Sequence, residues 1–297
     1  MVIGLHDADK NKFPNYALMK LSAWHKAQGD YVDWWMPIGT YDRVYSSKVF
    51  TFTPEEILLP PDTIKSGTGY GKLDVLPDEI DRMFPDYSIY PHVDYAIGFL
   101  TRGCPNNCPW CIVPTKEGNI QPYRTWQEIK RPDKRDIVFM DNNVLACNHG
   151  IEQMTDMIGK DVRIDFNQGL DARLIDNDVA DVLSRLKWIR QIRISCDTMP
   201  MLMVCLNAID RMKCKGIKPY RIFTYLLVKD NIRDAEVRAT TLRDAGVDVF
   251  AMPYRDFENK IEPTQEMKDF ARWVNRKEIF KTVDNFKDYK PRKDHQS

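Results

Sequence analysis

Apolar and polar positions along the first fifty residues follow two periods. Val2 to Leu5 is a short apolar run. From Pro14 to Gln28 apolar residues return every three or four positions, at Ala17, Leu18, Leu21 and then Trp24 or His25. That is the period of an amphipathic helix, which Pro14 suits at its first turn and Gly29 stops. Tyr31 to Trp35 has extended chemistry, and Lys48 to Thr53 gives a third strand. Residues 1–53 are therefore expected to form a small open α/β domain, a truncated Rossmann-like fragment of three strands. His6, Asp7 and Asp9 fall just past its first strand, where such sheets bind ligands. They equally suit a turn and a cap, because Asp hydrogen-bonds its own backbone there.

Between Pro54 and Pro91 lie six of the eighteen prolines, together with Gly67, Gly69 and Gly71. Residues 54–94 are expected to be a Pro/Gly-rich connector with little regular structure. Gly67-Thr68-Gly69-Tyr70-Gly71 permits close approach to a ligand, but it lacks the Lys-Ser/Thr ending of a phosphate loop and reads as a flexible loop.

Beyond residue 94 six β-rich runs follow one another at intervals of roughly 25 to 40 residues: 95–100, 136–140, 162–166, 191–196, 220–228 and 247–252. Helical patterns between them include 178–186, 201–212 and 233–245, the last closed by Gly246. This alternation predicts a parallel sheet with right-handed crossovers, open or barrel-like, with too few units for a full eight-strand barrel. The main domain is placed at 95–260. Residues 261–297 are expected to hold a helix, from Thr264 to Phe280, and a charged tail ending Lys290-Pro291-Arg292-Lys293.

With 43% hydrophobic residues the 297-residue chain can bury a core, which excludes disorder. Its 43 Lys+Arg balance 43 Asp+Glu, so no whole-molecule grip on nucleic acid or anionic lipid is expected. The balance is uneven, since residues 1–94 carry 9 Lys+Arg against 14 Asp+Glu, and the rest 34 against 29. An anionic substrate at the larger domain stays compatible with that surplus. No apolar run approaches the roughly 20 residues of a membrane span, and Met1 to Asp7 turns acidic too early for a secretory signal. A cytoplasmic location with no membrane partner is expected, where seven cysteines point to metal or catalysis rather than to disulfides.

Three of those cysteines, Cys104, Cys108 and Cys111, fall within Gly103-Cys104-Pro105-Asn106-Asn107-Cys108-Pro109-Trp110-Cys111. Thiolates at this spacing can wrap one face of a cubane cluster or a tetrahedral metal. Neither a fourth Cys nor a His lies nearby: the adjacent histidines are His92 and His149. Pro105 and Pro109 stiffen the loop, Gly103 lets the chain turn, and the loop leaves the first strand of the larger domain, where α/β folds place their chemistry.

The pattern Cys-x3-Cys-x-aromatic-Cys, with Trp110 in the aromatic slot, resembles the signature of the radical SAM (S-adenosylmethionine) superfamily, and residues 95 to about 255 resemble its partial (β/α)6 barrel. The resemblance implies a 4Fe-4S cluster on Cys104, Cys108 and Cys111 whose open iron is chelated by S-adenosylmethionine. It also implies reductive cleavage to methionine and a 5′-deoxyadenosyl radical that takes hydrogen from an unidentified substrate, whether small molecule, peptide or nucleic acid. A one-electron donor of the flavodoxin or ferredoxin kind is the implied partner. By the same resemblance Trp110 sits by the adenine and Asp141 holds the methionine amino group, although Asp141-Asn142-Asn143 departs from the usual Gly-Gly-Glu. Gln168 and Arg173 are aimed at the cofactor, Asp197 is at the ribose, and Met252-Pro253 places Pro253 on the adenine side. Each of these polar residues also suits ordinary turn chemistry at a strand end, and Asp141 also suits a helix N-cap.

The N-terminal segment resembles that of cobalamin-binding and methylthiotransferase relatives. However, the chain has no Asp-x-His-x-x-Gly and no cysteine before Cys104, so neither cobalamin nor a second N-terminal cluster is expected. Cys147, Cys196, Cys205 and Cys214 are expected as buried core thiols, with hydrogen-atom donation a further option for Cys196. The rival reading is a non-enzymatic metal-binding module holding zinc or a redox iron-sulfur cluster.

Overall fold

The structure is a computed structural model that describes all residues except Asp230, Phe257, Glu258, Lys260 and 292–297. Arg292 and Lys293 of the basic C-terminal run thus lie outside the described residues. The fold is mixed α/β with parallel sheets, in two compact units: residues 1–97 with 131–134, and 98–130 with the described part of 135–297.

The first unit is built from β1 (Val2–Asp7), α1 (Tyr16–Ala27), β2 (Tyr31–Trp34), β3 (Arg43–Ser47), β4 (Ile64–Ser66) and a single turn of helix, α2 (Asp78–Asp81). Its sheet has the order β2-β1-β3-β4, parallel throughout, with Ile3 opposite Val32, His6 opposite Ser46 and Tyr45 opposite Ile64. Asn15 caps α1 by accepting from the Leu18 amide at 3.2 Å. The buried face of the helix lays Leu18 and Leu21 on Ile3 and Leu5, each such side chain contributing about 1.5–3 kcal/mol.

Two expectations change here. The third strand is Arg43–Ser47, not Lys48 to Thr53. The Asp9 carboxylate accepts from the Val49 and Phe50 amides and from the Thr53 hydroxyl, at 2.6, 3.3 and 2.5 Å, and this turns the chain off the sheet after Lys48. The stretch expected as a connector has only short regular pieces, but one of them, β4, extends the sheet to four strands.

The chain passes into the second unit along β5 (Ala96–Gly98) and continues through β6 (Thr101–Arg102), α3 (Val113–Glu117), β7 (Gln121–Pro122), α4 (Trp126–Ile129) and β8 (Asp136–Phe139). Then come α5 (Asn148–Asp156), β9 (Arg163–Phe166), α6 (Asn177–Arg185), β10 (Ile192–Ser195), α7 (Met199–Cys214), β11 (Ile222–Val228), α8 (Ile232–Asp244), β12 (Asp248–Pro253), α9 (Gln265–Asn275) and α10 (Lys277–Thr282). The long strands follow chain order, β5-β8-β9 and β10-β11-β12. A parallel bridge from Leu170 to Ile194 joins the exit of β9 to β10. The described pairings among β8 to β12 are parallel.

Capping fixes the helices: Asp176 opens α6 by accepting from Asp178 and Val179, and Asn231 opens α8 through Asp234. The continuous helix expected from Thr264 to Phe280 breaks at Arg276. Asn275 Oδ1 there accepts from the Ala251 amide at 2.7 Å and its Nδ2 donates to the Ala251 carbonyl at 3.0 Å, which docks the end of α9 on β12. Ile137, Phe139, Ile164, Phe166, Ile194 and Leu226 are almost fully buried and form the core under these strands. Among the described residues no helix is long and apolar enough to cross a membrane.

Candidate functional site

The cysteine loop is held at its base by the antiparallel pair β6 and β7, which sets Thr101 opposite Pro122 and Arg102 opposite Gln121. Gly103 has φ +82°, and a Cβ there would stand 2.3 Å from the Asn119 carbonyl oxygen, so only glycine fits. The Cys104 amide donates to the Gly118 carbonyl at 3.1 Å, and the Cys111 amide closes a turn on the Cys108 carbonyl at 3.0 Å. Arg102 and Glu117 pair side by side (Nη2 to Oε1, 2.7 Å) and tie the loop's start to α3.

Asp141, just past β8, is buried and spends both carboxylate oxygens on the loop's approach. It accepts from the Leu100 amide (3.1 Å), the Thr101 amide (2.6 Å) and the Thr101 hydroxyl (2.7 Å). Burial, only partly offset by these bonds, pushes its carboxyl up to about 6. The residue expected at the methionine amino group is, in this structure, an anchor for the strand that leads into the cysteines.

Around the thiols the polar side chains converge. Cys104 Sγ accepts from the Asn106 amide at 3.4 Å and from Asn143 Nδ2 at 3.6 Å. The same two asparagines reach Asp171 Oδ2 at 3.0 and 3.1 Å, and Arg173 grips that carboxylate with a fork at 2.8 and 2.7 Å. Burial raises Asp171, but the Arg173 and Asn106 hydrogen bonds outweigh it and leave the carboxyl below its usual range. Burial also raises the Cys108 and Cys111 thiols. The charges of Cys104 and Asp197 add to both shifts, whereas Arg173 opposes the shift at Cys108. These groups therefore share one electrostatic neighbourhood. Asp197 is itself raised by burial, opposed by the Leu227 amide and the charges of Arg238 and Arg173.

Trp110 is half-buried with the Lys229 ammonium 5.6 Å from its ring centroid, and the same ammonium lies 5.0 Å from the ring of Tyr254, next to Pro253 at the end of β12. Gln168 is exposed and, among the described residues, donates only to the neighbouring Asn167 side chain. A cleft of about 360 Å³ beside the loop is lined by Cys104, Pro105, Asn106, Asn107 and Pro114. Asn106, Asn143 and Asp171 are the members that sequence reasoning passed over. Asp171 stood two residues before Arg173, and Asn143 two after Asp141, but neither spacing signals a contact with a thiol.

No three Cys, His, Asp or Glu side chains among the described residues are gathered in metal-holding geometry. Within the loop the charges of Cys111 and Cys104 add to burial in raising the Cys108 thiol, and Cys104 Sγ receives two N–H donors. Among the described residues, the buried Asn143 Oδ1 and Asn142 Nδ2 have no hydrogen-bond partner.

Of the other cysteines, Cys196 and Cys205 are buried and hydrogen-bonded to each other, which holds the Cys205 thiol up; Cys205 also reaches the Ser195 carbonyl at 3.2 Å. The expectation of four buried core thiols fails for the other two. Cys214 is exposed at the last turn of α7 and Cys147 is half-buried ahead of α5. In the first unit Asp9 is the turn residue described above, and Asp7 accepts from the Tyr90 hydroxyl at 2.7 Å.

No protein-family model matches the chain, and no curated protein matches it.

Proposed function

We propose that this chain is a radical S-adenosylmethionine enzyme, with Cys104, Cys108 and Cys111 as ligands of a 4Fe-4S cluster, and with β5 and β8 to β12 as the six strands of a partial barrel. The observation that carries the reading is the Cys-x3-Cys-x2-Cys loop, with an aromatic residue before the last cysteine, set after the first of six strands that follow in chain order. When bound, such a cluster supplies the electron that cleaves S-adenosylmethionine to methionine and a 5′-deoxyadenosyl radical.

The chain's own residues supply positioning. Asn106 and Asn143 donate to Cys104 Sγ, the kind of hydrogen bond that tunes a cluster's potential. Asp171 fixes the Arg173 guanidinium, whose planar fork suits a carboxylate such as that of methionine. Asp197 lies within electrostatic reach of Arg173 and of the thiols, which suits an acceptor of ribose hydroxyls. Trp110, with Lys229 and Tyr254, offers an aromatic face for adenine beside Pro253. The reductant is then a flavodoxin- or ferredoxin-like protein, and the substrate is the molecule whose deuterium appears in deoxyadenosine.

Anaerobic reconstitution tests the reading. About four irons per chain and reductant-dependent 5′-deoxyadenosine are expected. One zinc per chain without deoxyadenosine would assign the loop to a metal-binding module instead.

A further inference from the structure

The first unit carries a separate feature whose interpretation does not depend on the cysteine loop. Its sheet order, β2-β1-β3-β4, sends the chain from β1 to one side and then back to the other, so β1 and β3 flank a topological switch point. Open parallel sheets bind ligands in the crevice at the C-terminal ends of such a pair. His6 and Asp7 close β1 there, opposite Ser46 and Ser47 of β3.

Ser46 Oγ lies 2.8 Å from His6 Nδ1 and 2.8 Å from the Tyr70 hydroxyl, which forms one buried polar chain. Among the described residues nothing hydrogen-bonds His6 Nε2. Lys48 follows on the same strand end and is only 4% exposed. No described residue gives its ammonium a hydrogen bond or an ion pair; its neighbour is the Tyr70 ring, with the centroid at 5.3 Å. A buried ammonium without a counter-ion costs several kcal/mol in a dry site, so its retention needs a reason.

The Gly67 to Gly71 loop is fitted to this lysine. A Cβ on Gly67 would stand 2.3 Å from the Lys48 carbonyl oxygen, and one on Gly69 would stand 2.5 Å from Lys48 Cγ. The loop thereby holds Tyr70 over Lys48, and Lys65, ion-paired with Glu55 at 3.5 Å, brings a second ammonium to 5.4 Å from the same ring. Burial, with the charges of Lys10 and Lys65 and against that of Glu56, keeps the His6 imidazole below its usual range; Lys10 itself holds a left-handed backbone (φ +46°).

We propose that this crevice binds the phosphate group of a small phosphorylated molecule, with Lys48 as the central cation and Lys65, Tyr70 and His6 Nε2 around it. Lys48, with Lys65 beside the same ring, suits a dianion better than a single carboxylate, and hydrogen-bonding groups on several sides suit a tetrahedral one.

The test uses the full chain, without iron or S-adenosylmethionine. Inorganic phosphate and ribose 5-phosphate are titrated at constant ionic strength while the melting temperature and the fluorescence of Trp35, whose ring lies 5.5 Å from His6, are followed. Saturable responses are expected from at least one of the two, with the ester tighter if contacts extend beyond the phosphate. Lys48→Met is expected to melt no lower than the parent without ligand, because an uncompensated cation is removed, and to lose the response. Tyr70→Phe, a milder change, is expected to weaken binding about tenfold. A parent that gives no saturable response, an equal response to succinate, or a Lys48→Met protein that still binds phosphate overturns the proposal.

Discussion

The two units put polar side chains at the ends of parallel strands and balance them in opposite ways. In the second unit each carboxylate by the thiols has a partner, Asp171 in Arg173, Asp141 in the Leu100 and Thr101 amides and Asp197 in the Leu227 amide, although only at Asp171 does the partner outweigh burial. What remains is the thiol set, in which burial and then the neighbouring cysteines raise Cys108 and Cys111. In the first unit Asp9 is spent on a turn and Asp7 on Tyr90, and what remains is a lysine ammonium. On the proposed reading a metal cation would draw the protons from these thiols, and on the inference drawn for the first unit an anion would answer the buried lysine.

The largest effect expected from this contrast is at Cys108. Cys108→Ala should lower iron after reconstitution from about four per chain to none, while Cys205→Ala leaves it unchanged. Iron loss in the second variant would show that the pair Cys196 and Cys205 belongs to a cluster.

Asp141 comes next, through stability. Burial lifts its carboxyl from 3.8 to about 6, so between those values the native state holds a proton that the unfolded chain has released. Stability from this group is full below pH 3.8 and falls as pH rises to about 6, by about 3 kcal/mol at ~1.4 kcal/mol per unit. Asp141→Asn should lack that fall in denaturant titrations at pH 4 and 6.5; an identical pH dependence would remove the buried carboxyl as its source.

A smaller change is expected at Arg173. Arg173→Ala should weaken S-adenosylmethionine binding about tenfold, the worth of a charged hydrogen bond, with iron content intact; unchanged binding would take Arg173 out of the site. Smallest of all, Asp9→Ala should destabilise the first unit by about 1–2 kcal/mol and leave iron loading alone, which separates turn chemistry there from cluster chemistry in the second unit.

Much of the second unit was legible in sequence because its strands are β-rich runs cut off by turn residues and its helices carry polar caps. Predicted 191–196 is Ile192–Ser195, and 233–245 is Ile232–Asp244. The failures have local causes that periodicity does not carry. Lys48 to Thr53 has strand composition, but the Asp9 carboxylate, forty residues earlier, takes its amides. The helix after Thr264 keeps its apolar stripe past Arg276, yet the bond from the Ala251 amide to Asn275 Oδ1 ends it. At the site the cysteines announce themselves by spacing. The link from Asn143 through Asp171 to Arg173 forms only when the ends of β8 and β9 come together.

The account stands most directly on the low-temperature electron paramagnetic resonance spectrum of the reduced, reconstituted protein with and without S-adenosylmethionine. It predicts a 4Fe-4S signal whose g values shift when the cofactor is added, because one iron is open to it. A 4Fe-4S signal that S-adenosylmethionine leaves unaltered, or a protein that takes up zinc and gives no iron-sulfur signal, would contradict it.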